Sequence, residues 1–255
     1  PQIPFFWWAV VMIFAYYIVA TLFPIDKIIG RVYPIFGALL IIGSAFMFIM
    51  LVKAALVNPS ILDDSAAFSP FKEANPLFPC LFVTIACGII SGFHATQSPI
   101  VARTMTSEYQ AKSTFFGMMI AEGVIAVIWA ASALAIYNID ERCIDMSGPN
   151  VLGVITNHFL GPWMGAVTVI AIVILAITSG DTALRSARLN IAEMFKIDQV
   201  CLSKRIYTCI PLVIIVSALL FWSNNDARSF NNLWNYFAWG NQILSATTLM
   251  TAFSW

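Results

Sequence analysis

The chain has 255 residues, of which 60% are hydrophobic and 10% are charged, whereas about 25% of residues are charged in a typical soluble domain. Its 13 basic and 13 acidic residues give a formal net charge of zero, which provides no field to attract nucleic acid. The mean hydropathy of +0.85 requires lipid as the solvent for most of the chain, so composition excludes a soluble domain and predicts a membrane protein.

Motifs of soluble catalysis and of metal binding are absent from the sequence. The five cysteines form no Cys-x-x-Cys pair and have no histidine at metal-ligand spacing. No pairing of nucleophile with base is recognisable, and there is no Gly-rich P-loop motif to hold the phosphates of ATP. The sequence therefore predicts neither an enzyme nor an ATP-driven pump, and it calls for no metal and no cofactor.

Seven apolar stretches are long enough, or nearly so, to cross a bilayer. A hydrocarbon core about 30 Å thick needs about 20 helical residues. Because lipid offers no partner to backbone N–H and C=O groups, each span must be a helix. We expect an all-α integral membrane protein with about seven transmembrane helices, some of them discontinuous, in a single transmembrane domain over residues 1–255. The expected spans are 3–23, 35–57, 77–98, 115–137, 163–179, 206–222 and 232–254.

The distribution of Lys and Arg sets the expected orientation. If odd-numbered spans run from outside to inside, nine of the 13 basic residues fall in inner loops, which places the N-terminus outside. Residues 58–76 then form an outer loop, and residues 138–162 form an outer or re-entrant segment with one short helix. Residues 181–197 are expected to form an inner amphipathic helix that lies at the lipid headgroups.

The third span becomes polar within membrane depth. After an apolar start, glycine and hydrophilic side chains accumulate until Pro99. Unwound backbone of this kind lines substrate and ion sites in transporters, so we expect a broken helix that binds solute. The alternative is a kinked helix that ends at Ser91, followed by an inner loop over residues 92–114. The candidate substrate-binding residues are Ser91, Gly92, His94, Ala95, Thr96, Gln97 and Ser98.

Two further sets of polar residues are candidates for proton or cation coupling. Glu122 lies inside the apolar fourth span, and a carboxylate there must face the bundle, either protonated or paired. It is either a hydrogen-bonding brace or a proton site, and the same two roles are open to His94. Thr178, Ser179 and Asp181 surround Gly180, which is expected to end one helix while Ser179 or Asp181 caps the next. The alternative role of these three residues is a cation or proton gate.

Three strings of the sequence carry a resemblance to a known family. They are Ser91-Gly-Phe-His-Ala-Thr-Gln-Ser-Pro99, Phe116-Gly-Met-Met-Ile-Ala-Glu-Gly-Val-Ile-Ala126 continuing to Trp129, and Gly180-Asp-Thr-Ala-Leu-Arg-Ser-Ala-Arg188. In this order they resemble the carbon starvation protein A family of bacterial membrane transporters. Members of that family have additional helices at both ends, including a glycine-rich N-terminal segment, so the resemblance implies the middle to C-terminal part of a longer transporter.

The resemblance also implies a function and a location. It implies import of pyruvate or peptides during carbon limitation, coupled to protons, across the bacterial inner membrane. It further implies an inverted five-helix repeat, in which the third span opens the second repeat and is unwound at the midplane. The sequence does not choose between pyruvate and peptide, and it indicates neither the coupling ion nor the oligomeric state. The alternative function is a membrane solute sensor or channel-like subunit without coupled transport.

Overall fold

A computed structural model describes residues 3–22, 26–63, 82, 85, 92–140, 142–143, 146, 148–223 and 227–254. The regular elements in this part of the chain are all helical, which confirms the all-α class, whereas the inverted five-helix repeat stays a prediction. The α-helices are α1 (Ile3–Leu22), α2 (Asp26–Val57), α3 (Gly92–Thr104), α4 (Met118–Ile139), α5 (Gly148–Met194), α6 (Leu202–Ser223) and α7 (Ala227–Ser254). Short 3-10 helices cover Pro59–Leu62 and Glu108–Gln110, and a π-helix covers Lys112–Gly117.

Among the described residues, four helices are long and apolar enough to cross a membrane: Pro34–Val57, Glu108–Ile139, Asn150–Met194 and Leu202–Ser223. They correspond to the second, fourth, fifth and sixth expected spans. α1 contributes a shorter apolar segment, Trp8–Ala20, and α7 is helical but is not among the four. Most of the third expected span lies outside the described residues, so the total of seven spans stays a prediction.

The chain divides into two compact units. Unit 1 comprises Pro1–Lys27, Leu81–Glu108 and Ile177–Trp255, and unit 2 comprises Ile28–Cys80 and Tyr109–Ala176. Within unit 1, α1 packs against α6, while α7 contacts both α6 and α3. Unit 2 has its own apolar core, made of Met47, Leu51, Ile61, Ala135, Ile136, Cys143, Val151, Ile155 and Phe159.

Directed hydrogen bonds complete the packing of unit 2. The indole N–H of Trp129 on α4 donates to the hydroxyl of Ser44 on α2 at 3.0 Å. At the end of α4, the Asn138 amide donates to the main-chain oxygens of Ile61 (2.9 Å) and Asp63 (2.6 Å). One side chain thus holds the 3-10 turn after α2, the part of the expected outer loop 58–76 that the structure describes, against α4.

A kink at Gly161 divides α5 into a short first helix and a long second one. Gly161 has φ 74° and ψ 175°, a backbone conformation essentially restricted to glycine. After the kink, Gly165 lies so close to the first helix that an added Cβ would be 2.9 Å from the carbonyl oxygen of Thr156. The short helix expected within residues 138–162 is therefore present, and it begins at Gly148.

Two expectations about helix ends are wrong. Gly180 does not stop a helix, because α5 runs without another break to Met194, and residues 181–194 continue it rather than forming a separate element. The alternative of an inner loop over residues 92–114 also fails, because α3 continues through Pro99 to Thr104 and short helical turns follow. α5 ends in a Schellman motif, in which Ile197 N–H donates to Ala192 O and Lys196 has φ 53°.

Candidate functional site

The expected substrate-binding segment forms the start of α3 in the described structure, so residues 92–98 are regular helix and the expectation of unwound backbone is wrong for them. Ser91 lies outside the described residues, Gly92 is the first residue of α3, and the side chains of Ala95, Thr96 and Gln97 are likewise outside the description. The His94 ring is half-buried, with Nδ1 shielded from solvent. The Ser98 hydroxyl donates to the His94 carbonyl at 2.7 Å, which is an intrahelical bond that satisfies backbone within α3.

Glu122 is exposed on α4 in unit 2, so the expectation that it is enclosed by the bundle is wrong for the described part of the chain. It lies two turns before Trp129 on nearly the same helix face, but the core of unit 2 packs around the second half of α4. Beside it, side chains of α2 and α4 form an open apolar groove of about 520 Å³, which Phe48, Gly123 and Val127 help to line. Glu122 therefore belongs to a different unit from the other coupling candidates.

The second half of α5 holds a buried polar cluster in unit 1, and its geometry starts at Gly180. A Cβ at Gly180 would lie 2.8 Å from Cζ of Tyr17 on α1, and closer still to the phenol oxygen. Only glycine admits the Tyr17 ring at this depth. The residue interpreted as a helix end is therefore the contact point at which α1 approaches α5.

Asp181 and Arg185 lie one turn apart on α5 and form an ion pair. Asp181 is 4% exposed, and Arg185 Nη2 lies 3.5 Å from its Oδ2. The same Nη2 donates to the main-chain oxygen of Ala20 at 3.0 Å. Ala20 belongs to the last turn of α1, where carbonyls have no intrahelical partner and the helix dipole is negative. Arg185 therefore connects a buried carboxylate of α5 to the end of α1.

Tyr16 and Tyr17 complete the surroundings of this acid. The Asp181 carboxylate is close enough to act electrostatically on both phenols, and the two rings are 5.8 Å apart. Thr178 and Ser179 are half-buried on the preceding turn, and the Thr178 carbonyl accepts a bond from the Thr182 hydroxyl at 2.9 Å. Neither Ser179 nor Asp181 caps a helix, since both lie inside α5.

The arrangement gives this region a proton-accepting group shielded from water, next to hydroxyl groups that can relay a proton. A buried carboxylate is ionised at a high energetic cost unless a partner compensates its charge, and Arg185 provides that compensation. Tyr16, Tyr17 and Arg185 were not among the candidate residues predicted from the sequence. The available signal was the pair of tyrosines within an otherwise apolar α1, because phenol O–H groups within membrane depth need hydrogen-bond partners.

The described helices and this buried ion pair define a polytopic membrane protein with ionisable groups held inside its bundle. Membrane segments of this kind are characteristic of transport pathways and proton relays. Residues 6–154, more than half of the chain, match the model of the carbon starvation protein CstA family, and the chain belongs to that family. The resemblance drawn from the three sequence strings is thereby confirmed, as is a multi-pass location in the bacterial inner membrane.

Curated relatives support the same family. An uncharacterized membrane protein of Haemophilus influenzae is 43% identical over 147 residues, which are 49% of this chain and 38% of the relative. The peptide transporter CstA of Escherichia coli K12 is 35% identical over 89 residues, 34% of this chain and 13% of the transporter. The pyruvate/proton symporter BtsT of the same strain is 40% identical over 58 residues, 22% of this chain and 8% of the symporter.

The chain thus spans well under half the length of each of these three relatives. No solved structure matches the chain.

Proposed function

We propose that this chain is a transmembrane part of a secondary active transporter that imports a small carboxylate such as pyruvate, or a peptide, together with a proton. Family membership and the transporter names of its relatives support this class. The observation that carries the proposal is the buried Asp181–Arg185 pair, because an acid enclosed at such a site is a suitable carrier for the coupling proton.

In this proposal, Asp181 takes up and releases the proton. When ionised, the carboxylate attracts Arg185, whose guanidinium also holds the last turn of α1. The separation of 3.5 Å between Arg185 Nη2 and Asp181 Oδ2 is longer than the 2.7–2.9 Å of a tight charge-assisted bond, so protonation would interrupt a long ion pair. Protonation removes its charge and weakens the attraction for Arg185. The contact between α1 and α5 then loosens, which links proton binding to the helix movement of alternating access.

The substrate is proposed to bind at the start of α3, at Gly92, His94 and the preceding residue in the sequence, Ser91. This assignment follows the resemblance, together with the inverted repeat in which that segment opens the second half. The N-terminal end of a half-helix is positive and attracts the carboxylate that pyruvate and peptides share. Thr178 and Ser179 supply hydroxyl oxygens that would suit a metal cation if the coupling ion is not a proton, and Glu122 is a candidate for a second proton site.

The test is uptake of labelled pyruvate and of a labelled dipeptide by proteoliposomes containing the purified whole protein, with and without an inward proton gradient. Asp181→Asn is expected to reduce gradient-driven uptake to the level without a gradient, while exchange of labelled for unlabelled solute continues. Asp198→Asn is the matched control, since that carboxylate is 58% exposed. Glu122→Gln and His94→Ala are measured alongside.

Each result has a defined meaning. Continued exchange by Asp181→Asn shows that the variant is folded and that the acid acts in coupling rather than in stability. Full gradient-driven uptake by Asp181→Asn, with loss in Glu122→Gln, would move the coupling site to α4. An absence of both uptake and exchange of either solute by the folded wild-type protein would overturn the transport assignment in favour of a sensor.

A further inference from the structure

A second polar cluster, separate from Asp181, lies between the end of α5 and the start of α6. Its centre is Arg188, which is only 6% exposed. Arg188 Nη1 donates to the side-chain oxygen of Gln199 at 2.7 Å, while Nε is buried and has no acceptor in the described part of the chain. No carboxylate among the described residues forms an ion pair with Arg188. A buried cation that is paired only with a neutral amide is energetically costly and favours an anion from outside.

The charges around Arg188 increase this demand. Arg185 and Arg205 are both close enough to repel it, and Arg205 Nε donates to the Gln199 main-chain oxygen at 2.6 Å. The same turn leads into the N-terminus of α6, where free N–H groups and the helix dipole are positive. The acid of this turn, Asp198, is exposed and lies 4.0 Å from Lys204, so it does not neutralise the cluster.

The position of the cluster indicates the source of the anion. Residues 162–194 form about 50 Å of helix after the kink, at ~1.5 Å per residue, whereas the hydrocarbon core is only about 30 Å thick. The helix after the kink is therefore longer than the hydrocarbon core requires, and we expect its charged last turns to lie at a membrane boundary. Large apolar side chains beside the cluster are exposed, as expected of a turn that contacts acyl chains. They are Met194 (70%), Phe195 (64%), Val200 (78%) and Tyr207 (73%).

We propose that the turn between α5 and α6 binds the headgroup phosphate of an anionic phospholipid from the inner leaflet. Arg188 and Arg205 supply the charge and the N–H donors, and guanidinium groups suit phosphate oxygens because two donors can engage at once. Gln199 holds Arg188 in place through its side chain and Arg205 through its main chain. The exposed apolar side chains of the turn contact the acyl chains. This site does not depend on the transport proposal, because lipid binding is measured without solute or gradient.

Native mass spectrometry of the purified whole protein in detergent tests the proposal, with phosphatidylglycerol, phosphatidylcholine and inorganic phosphate added separately. The wild-type protein is expected to bind phosphatidylglycerol in preference to the other two. Arg188→Gln is expected to weaken that binding by about tenfold or more, as for loss of one charge-assisted contact. Arg142→Gln is the matched control, because this arginine is 85% exposed and pairs with Asp140.

Gln199→Glu provides an independent test that does not require removing a buried charge. It places a carboxylate where the Gln199 side-chain oxygen already lies 2.7 Å from Arg188, so the protein supplies its own counter-ion. We expect a higher melting temperature without lipid, together with loss of phosphatidylglycerol binding. Unchanged phosphatidylglycerol binding in both Arg188→Gln and Gln199→Glu would overturn the proposal. Binding of free phosphate as tight as that of the lipid, with the same dependence on Arg188, would overturn the lipid assignment.

Discussion

Gly180 is the position at which the packing of α1 against α5 can be tested most directly. Gly180→Ala adds a Cβ 2.8 Å from the Tyr17 Cζ atom, whereas ordinary van der Waals contact begins at about 3.4 Å. The ring must therefore retreat by at least about 0.6 Å, against a site that also holds Asp181 and the last turn of α1. Because packed interiors accommodate such shifts poorly, the substitution is expected to destabilise the protein.

The magnitude follows from two opposed contributions. Overpacking by one methyl group costs about 1–3 kcal/mol, and replacing glycine by alanine inside a helix returns up to about 1 kcal/mol. Gly153→Ala, on the first part of α5, isolates the second contribution, since no atom lies within 4 Å of its added Cβ. The two variants should therefore differ by about 1–3 kcal/mol. At ~2–4 °C per kcal/mol, the melting temperature of Gly180→Ala is expected to be roughly 2–12 °C below that of Gly153→Ala.

Thermal unfolding of both purified variants in detergent, followed by size-exclusion fluorescence, measures this difference. Adding Tyr17→Phe to Gly180→Ala removes the phenol oxygen, the nearest atom, and should restore part of the stability. Gly180→Ala melting at or above the temperature of Gly153→Ala would mean that α1 does not approach α5 at this point. Tyr17 would then not adjoin the Asp181–Arg185 pair.

Three further substitutions test other described features. Lys196→Gly should raise stability by about 1 kcal/mol in thermal unfolding, because glycine occupies the left-handed position of the Schellman motif without strain; a loss would contradict this. Asn138→Ala should cost about 1–3 kcal/mol in the same assay by leaving two carbonyls without their donor, and wild-type stability would show that the turn is held otherwise. Hydrogen bonds from Arg142 hold the pKa of Asp140 below its ordinary value of 3.8. The stability that these bonds give the folded protein is fully present above the ordinary pKa, and it is lost as the pH falls through the lower pKa that Asp140 has in the folded protein. Arg142→Gln should therefore remove part of the acid sensitivity of unfolding below about pH 4, and an identical pH profile would refute the pairing.

The helices were predictable from the sequence because lipid leaves the backbone no alternative to internal hydrogen bonds. α1, α4 and α6 begin and end within a few residues of the expected spans. The family could also be recognised, since its motifs occur in order. In contrast, composition alone did not distinguish the glycines of α5. Gly161 and Gly180 both interrupt an apolar run, yet only Gly161 leaves the helical conformation.

Side-chain surroundings were less predictable, because they depend on which helices meet. An acid within an apolar span is expected to face protein, yet Glu122 is exposed while Asp181 is buried. Beside the buried Asp181 lies Tyr17, which is 164 positions earlier in the sequence and can approach because position 180 has no side chain. Nothing in the local pattern around either acid encodes that long-range contact.

The kink at Gly161 also fixes the point at which the long second helix of α5 begins. The apolar run on both sides of it is longer than one span requires and shorter than two spans require, so hydropathy alone would let the helix slide along its axis by several residues. Gly161 has a backbone conformation that is readily adopted only by glycine. This residue ends the first helix, and the second helix starts at Pro162. The position of the charged residues relative to the start of the long helix is thereby specified by a residue that has no side chain.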